Sequence, residues 1–142
     1  MERESKPREV RMETGSELAL SRSDRAEVAK IVQRAREICG YEFGVFVGEL
    51  PNDRESATAL HAGMDNPNSA VLLAIDPQRR TMDIVTGGRV RRNLDDRACE
   101  FALMSLRSHL AVDDLVRGIR DSVLLLAEHA RAPRTLHLDE PA

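Results

Sequence analysis

The sequence predicts an α/β fold, a small three-layer α/β/α sandwich with a mixed sheet. Residues 70–75 form an unbroken apolar run of strand length, which predicts a strand covered on both faces. Residues 81–85 alternate more, and the polar, proline-containing residues 76–80 between the two runs predict a hairpin. Apolar residues at helical spacing precede and follow these runs, so the expected order is α-β-α-β-β-α-α.

The first predicted helix opens with a pattern that resembles a capping box. Asp24 lies three residues before Glu27, and Gly40 suits the left-handed position that ends a helix. A strand over residues 41–48 follows. It places Phe46 between two glycines, which leave room for a packed helix or for a ligand.

Three further helices follow this strand. A short helix over residues 56–64 is broken by the polar residues 65–68, which lead into the central strand. After the third strand, either Asn93 or Asp95 caps a helix that runs to Leu110. The last helix begins after a pair of aspartates, whose charge suits its positive N-terminal end.

The connections determine the expected topology. The first two strands are joined through a helix and should be parallel, with a right-handed crossover, whereas the third should pair antiparallel through the hairpin. Residues 1–21 are charged and without periodicity, and they predict a flexible N-terminal tail. The α/β/α domain is expected over residues 22–131, and residues 132–142, with two prolines, should form an irregular C-terminal tail.

Composition and sequence pattern argue against a nucleic-acid-binding, a secreted or a membrane-inserted protein. A chain of 142 residues with 42% hydrophobic and 32% charged residues is typical of one globular domain. The net charge of −3 gives no reason to expect nucleic acid as a partner. The charged N-terminus is unlike a secretory signal, and no apolar run is long enough to insert into a membrane, so a cytoplasmic location is expected.

No strong catalytic motif is present in the sequence. It contains no phosphate-binding P-loop, no dinucleotide fingerprint, no zinc motif of the H-E-x-x-H or paired C-x-x-C type, and no G-x-S-x-G elbow. Cys39 and Cys99 both lack the arginine that follows six residues after the cysteine of a cysteine phosphatase. We expect two half-buried thiols, with a disulfide as the alternative.

Two clusters of carboxylates and amides are left as candidate sites. Glu49, Asp53 and Asp76 are expected near the carboxyl ends of the two parallel strands, where open α/β sheets bind ligands.

A second cluster is expected at the opposite end of the sheet, where the hairpin makes two loops neighbours. The candidate metal ligands there are Asp65, Asn68, Asp95 and Asp96. Their hard oxygen atoms would suit Ca²⁺ or Mg²⁺. The alternative is that these residues form turns and helix caps, which is their most frequent use.

Basic and histidine side chains add weaker candidates. Arg91 and Arg92 lie in sequence beside the second cluster and could bind an anion such as a phosphate, or could neutralise the aspartates on a solvated surface. His61 and His109 could act as acid or base, but neither has an identifiable partner in the sequence.

Residues 70–98 resemble the TPM domain. The shared order is an apolar strand at 71–75, a hairpin at 76–80, a strand ending in glycine at 84–87, and a Leu-x-Asp helix start at 94–96. The likeness extends over residues 23–131 and looks closest to a cytoplasmic actinobacterial branch of unknown function. The resemblance implies an α/β/α sandwich and acid phosphatase activity, calcium binding or a role in assembling membrane complexes, with Asp95 and Asp96 matching the acidic helix start.

Three hypotheses about function follow. The first is a non-enzymatic module that binds an unidentified protein partner and uses a divalent metal. The second is a weak metal-dependent acid phosphatase, in which the bound ion would activate water and Arg91 or Arg92 would assist. The third is a structural or oligomerising protein. The sequence alone leaves the oligomeric state open.

Overall fold

The computed structural model describes residues 10–12 and 20–131. Within these residues the strands are β1 (Val10–Met12), β2 (Glu42–Val47), β3 (Ala70–Asp76) and β4 (Thr81–Thr86). The α-helices are α1 (Arg22–Cys39), α2 (Arg54–Ala62), α3 (Asp96–Leu110) and α4 (Leu115–Ala130). Single 3₁₀ turns at Pro67–Ser69 and Val90–Arg92 lead into β3 and towards α3.

The strands form one mixed sheet in the order β1-β2-β3-β4. β1 pairs parallel with β2, β2 pairs parallel with β3, and β4 pairs antiparallel with β3 through the predicted hairpin. The predicted order α-β-α-β-β-α-α is therefore confirmed from α1 onwards. β1 is an additional strand that lies within residues 1–21, the segment predicted as a tail. Residues 1–9, 13–19 and 132–142, on which the rest of the tail predictions fall, lie outside the described residues.

Helices cover both faces of the sheet, as predicted. On one face α4 packs between α1 and α3, and these helices enclose the main core with β2, β3 and β4. On the other face the nine-residue helix α2 lies over β3 and β4, and a smaller cluster that includes Phe46, Leu72 and Val85 packs beneath it. All seven residues of β3 are buried, which is why this strand reads as a continuous apolar run.

The capping box of α1 differs from the predicted one. The Ser21 hydroxyl accepts a hydrogen bond from the Asp24 N–H at 3.0 Å, and the Asp24 carboxylate accepts one from the Ser21 N–H at 3.3 Å. Asp24 is therefore the third residue of the helix rather than its cap, because a serine three positions earlier supplies the capping oxygen. Gly40 ends α1 with φ 84°, in the predicted left-handed conformation.

Gly87, just after β4, lies against the backbone of the turn that leads into β3. Its N–H donates to the Ala70 carbonyl at 3.0 Å. A Cβ added at Gly87 would lie 2.0 Å from the Pro67 carbonyl oxygen and 2.3 Å from that of Asn68. Only a residue without a side chain fits here, so Gly87 fixes how closely the two loops at this end of the sheet approach.

We expect Gly87→Ala to lower the free energy of unfolding by about 3 kcal/mol, because the added methyl group meets backbone oxygens that cannot move independently. Urea denaturation followed by circular dichroism measures the loss. Gly88→Ala is the matched control, since its nearest contact would be the Asn68 side-chain oxygen at 2.9 Å, which can rotate away with the loss of one hydrogen bond from the Arg89 N–H. Equal losses in the two variants would contradict this account of the close approach.

Candidate ligand-binding cleft

The loop after β2 and the turn after β3 are joined through the backbone of Leu50. The buried carboxylate of Asp76 accepts a hydrogen bond from the Leu50 N–H at 2.9 Å. The guanidinium of Arg79 donates to the Leu50 carbonyl at 2.6 Å. Both backbone polar groups of Leu50 are therefore bound by side chains of the hairpin turn, which holds the loop in one position.

The turn itself is held by the same two side chains. Asp76 also accepts from the Arg79 N–H at 3.3 Å, and Arg79 forms an ion pair with Asp53 at 3.0 Å. Asp53 precedes α2 with φ 47° and ψ −114°, a positive-φ conformation that is uncommon for residues other than glycine. The three carboxylates that the sequence predicts at this end thus differ in use: Asp76 and Asp53 hold the loops together, and Glu49 is exposed.

Two adjoining cavities open at this end of the sheet. The larger one, of about 400 Å³, lies between α2 and β2, with Phe46, Leu50 and Leu60 among its lining residues. The smaller one, of about 230 Å³, is lined by Glu49, Pro51, Asp76, Gln78 and Arg79. Glu49 belongs to both linings, so the two cavities are neighbours, and we treat them together as one candidate cleft with an apolar part and a polar part.

Glu49 gives this cleft its unbalanced charge. Within the part of the chain that the structure describes, its carboxylate has no hydrogen bond or ion pair, whereas Asp76 is satisfied by two N–H groups and Arg79 is paired with Asp53. An exposed carboxylate beside an apolar cavity favours a ligand that carries a positive charge next to an apolar group.

At the opposite end of the sheet, two of the predicted metal ligands have structural roles. The Asn68 side-chain oxygen accepts a hydrogen bond from the Arg89 N–H at 3.2 Å, beside the backbone bond from the same N–H to the Asn68 carbonyl at 2.9 Å. Asp95 is the N-cap of α3 and accepts from the Ala98 N–H at 3.0 Å. Asp95, and not the alternative Asn93, is therefore the cap.

The other two predicted ligands, Asp65 and Asp96, are exposed, and Asp96 lies in the first turn of α3. Among the described residues, no group of three or more histidine, cysteine, aspartate or glutamate side chains could hold a metal ion. The site at Asp65, Asn68, Asp95 and Asp96 stays a prediction, and the contacts of Asn68 and Asp95 are those of the alternative, a turn and a helix cap.

Arg91, predicted to bind an anion, contacts the outer edge of β4. Gly87 faces Ala70 across the β3–β4 pair and is hydrogen-bonded to it. In an antiparallel pair, hydrogen-bonded and non-hydrogen-bonded residue pairs alternate along the strands. Met82, Ile84 and Thr86 consequently direct their backbone polar groups away from β3. Arg91 donates to the Thr86 carbonyl at 2.5 Å.

Arg54 caps the same edge two residues earlier. Its guanidinium donates to the Ile84 carbonyl at 3.0 Å and pairs with Asp83 at 3.2 Å. Arg54 and Arg91 therefore donate hydrogen bonds to two of the outward-facing carbonyls of β4. These carbonyls are not available to another strand, so the edge is protected against further strand pairing. Arg92 is exposed, and its anion-binding role stays a prediction.

Both candidate histidines have structural partners. The Nε2 of His61 lies 3.0 Å from the Ala70 carbonyl oxygen, so it donates to the same oxygen that Gly87 uses. The Nδ1 of His109 lies 2.8 Å from the Ser105 carbonyl oxygen and its Nε2 lies 3.3 Å from the Asp121 carboxylate, which links α3 to α4.

The cysteines are free and half-buried, as expected. Burial raises the pKa of Cys99 to about 11. The negative charges of Asp96 and Asp95 add a smaller increase, and the positive charge of Arg54 opposes it. Burial also raises the pKa of Cys39, partly offset by hydrogen bonds from backbone N–H groups. Neither thiol has the lowered pKa of a nucleophilic cysteine.

The sequence missed the apolar half of the cleft. The sequence predicts Glu49 and Asp76 at this end, and the glycines beside Phe46 leave room for a packed helix or a ligand, but Leu60 and Arg79 carry no signal. The bond between Leu50 and Asp76 joins residues 26 positions apart, which no local pattern indicates.

Residues 3–127 match the model of the family described as "Domain of unknown function (DUF5130)". The match covers most of the chain, and the protein belongs to this family. Two uncharacterized proteins of Mycobacterium tuberculosis, MT2543 of strain CDC 1551 / Oshkosh and Rv2468c of strain ATCC 25618 / H37Rv, are each 26% identical over 90 residues, which are 63% of this chain and 54% of the relative. The chain thus spans about half the length of these curated relatives.

Two solved structures share the fold. The N-terminal domain of the cg2496 protein from Corynebacterium glutamicum aligns with a TM-score of 0.61 and 21% identity, over 85% of this chain and 76% of that one. The N-terminal domain of a protein from P. gingivalis aligns with a TM-score of 0.66 and 21% identity, over 86% of this chain and 81% of that one. At this identity the likeness shows the fold alone.

The resemblance to the TPM domain is wrong as a family assignment, because the matching family model is DUF5130. The pieces that carried the resemblance, an apolar strand, a tight turn, a glycine and an acidic helix start, are common to small α/β domains and do not identify one family. Among the described helices, none is long and apolar enough to span a membrane.

We expect Asp95→Ala to lower the free energy of unfolding by about 1 kcal/mol, through loss of the helix cap, and to do so equally with and without Ca²⁺ or Mg²⁺. Chemical denaturation in each condition measures it. Asp96→Ala is the matched control, because it removes a first-turn carboxylate without a capping bond and should cost less. A loss seen only when the metal is present would instead support the predicted metal site.

We expect Cys99 to be slow to alkylate in the folded protein. With the pKa raised from 9.0 to about 11, the thiolate fraction near pH 8 falls about 100-fold. Iodoacetamide labelling of a Cys39→Ser variant, followed by mass spectrometry, isolates Cys99, and the same variant unfolded in urea is the control. Labelling at the unfolded rate would show that the thiol is neither buried nor depleted of thiolate.

Proposed function

We propose that this domain is a non-catalytic binding module and that its cleft holds a segment of a partner protein. The segment would place an apolar side chain in the cavity between α2 and β2, with a lysine or arginine beside it at Glu49. The observation that carries the proposal is the position of Glu49, an exposed carboxylate without a partner among the described residues, where the apolar and polar cavities meet.

The size and rigidity of the cleft support binding. A cavity of about 400 Å³ falls in the lower part of the volume range of ligand pockets. The loop that carries Glu49 is held by Asp76 and Arg79, so little conformational entropy is lost when a ligand binds.

The state of the titratable groups supports binding over catalysis. His61 and His109 are held by backbone carbonyls, and burial raises the pKa of both thiols. A metal-dependent acid phosphatase gains no specific support, because Asn68 and Asp95 bind backbone N–H groups and Arg91 binds the edge of β4. A divalent metal and a cytoplasmic location both stay predictions of the sequence.

We expect hexylammonium to bind this cleft more tightly than hexanol, since both fill the apolar cavity but only the cation pairs with Glu49. Two-dimensional amide NMR should show shifts at Glu49, Leu60 and Gln78. Glu49→Gln should weaken hexylammonium binding about five-fold, equivalent to about 1 kcal/mol for an exposed ion pair, and leave hexanol unchanged.

Glu55→Gln is the matched control, because it removes an exposed carboxylate of α2 that lies outside the cleft lining. Equal affinity for the two probes in the wild-type protein, or equal effects of Glu49→Gln and Glu55→Gln, would refute the role of Glu49. Shifts confined to the other face of the sheet would refute the cleft itself.

A further inference from the structure

The solvent side of α3 presents two large apolar side chains, with a polar residue on either side of them, and nothing in the described chain covers this line of residues. Arg97, Phe101, Met104 and Ser108 lie four, three and four residues apart, so they form one line along the helix, and all are exposed. Phe101 is 52% exposed and Met104 is 60% exposed, which is unusual for two large apolar side chains on one helix face. We call these four residues the α3 stripe.

The charges beside the stripe have opposite signs. Glu100 and Arg107 lie seven residues apart along the same border, each one position before a stripe residue. In heptad terms the stripe occupies the a and d positions, and both charged residues occupy g positions. Neither Glu100 nor Arg107 forms an ion pair with any other described residue.

This pattern is complementary to itself. When two copies of a helix pair antiparallel about a two-fold axis, a faces d and g faces g. Phe101 then meets Met104 of the second copy, Arg97 meets Ser108, and Glu100 meets Arg107. Each contact occurs twice because the interface is symmetric. If positions 100 and 107 carried the same charge, this pairing would instead place like charges opposite each other.

Other occupants fit the α3 stripe less well. An anionic lipid surface needs a strongly basic helix face, whereas the stripe and its border together carry Arg97 and Arg107 against Glu100, a net charge of only +1. A strand added to the neighbouring β4 edge would have to displace Arg54 and Arg91 from the Ile84 and Thr86 carbonyls. A second copy of the helix needs neither a net charge nor a free strand edge.

We propose that this protein forms a homodimer through antiparallel packing of α3 against α3 of a second copy. An interface limited to one helix of 15 residues buries less than the roughly 800 Å² per partner of a stable complex. The dimer should therefore be weak, with a dissociation constant on the order of 100 µM. The α3 stripe and the cleft are on opposite faces of the sheet, so the two proposals stand or fall separately.

Sedimentation equilibrium of the full chain over a concentration series up to about 1 mM tests the proposal, and circular dichroism reports whether each variant is folded. The wild-type protein should pass from monomer to dimer. Glu100→Arg should weaken the dimer at least about ten-fold, because like charges then face each other at both symmetric contacts. The double variant Glu100→Arg with Arg107→Glu should restore it.

Arg120→Glu on α4 is the control, since it makes the same change as Arg107→Glu at an exposed position outside the α3 stripe, and it should leave the dimer intact. A wild-type protein that stays monomeric throughout overturns the proposal. So does a dimer that Glu100→Arg leaves unchanged, or one that the double variant fails to restore. Rescue by the double variant would be specific evidence for this pairing, since no other interface requires these two residues to match.

Discussion

The complete burial of β3 dictates how the other strands, the helices and the loops are arranged around it. Every residue of this strand is inside, so it needs a strand on each side and helices on each face. β2 and β4 supply the backbone partners, and α2 covers one face while α1, α3 and α4 cover the other. The two ends of the strand must also be satisfied, and the polar residues of the neighbouring loops do this.

This constraint explains why so many apparent ligands have structural roles. At the start of β3, the Ala70 carbonyl accepts from both Gly87 and His61, and Asn68 holds the following loop. At its end, Asp76 is buried and binds the Leu50 N–H. Polar side chains from neighbouring loops, Asn68 and His61 at one end and Asp76 at the other, thus hold the two ends of the buried strand, while Glu49 of the cleft is exposed.

The unequal cover of the two faces separates the surfaces available for binding. On one side the short α2 lies over β3 and β4 and leaves a cavity beside Phe46 of β2. On the other, α3 packs against α4 with its buried side and presents Phe101 and Met104 to solvent. The β4 edge between these faces is blunted by Arg54 and Arg91. One small domain thus has room for a ligand and for a second copy without competition.

Local signals in the sequence predict the order of α1 to α4 and β2 to β4, because apolar periodicity, a polar turn and helix caps such as Gly40 and Asp95 depend only on neighbouring residues. The sequence does not predict β1, because three residues in a charged segment show no alternating apolar pattern. The tertiary structure alone decided which loops meet. Leu50 and Asp76 are 26 residues apart, and Arg54 and Ile84 are 30 apart. Apolar patterns specify which face of an element is buried but not which distant polar groups will share an end of the sheet, so the cleft and the blunted edge could be found only in the folded chain.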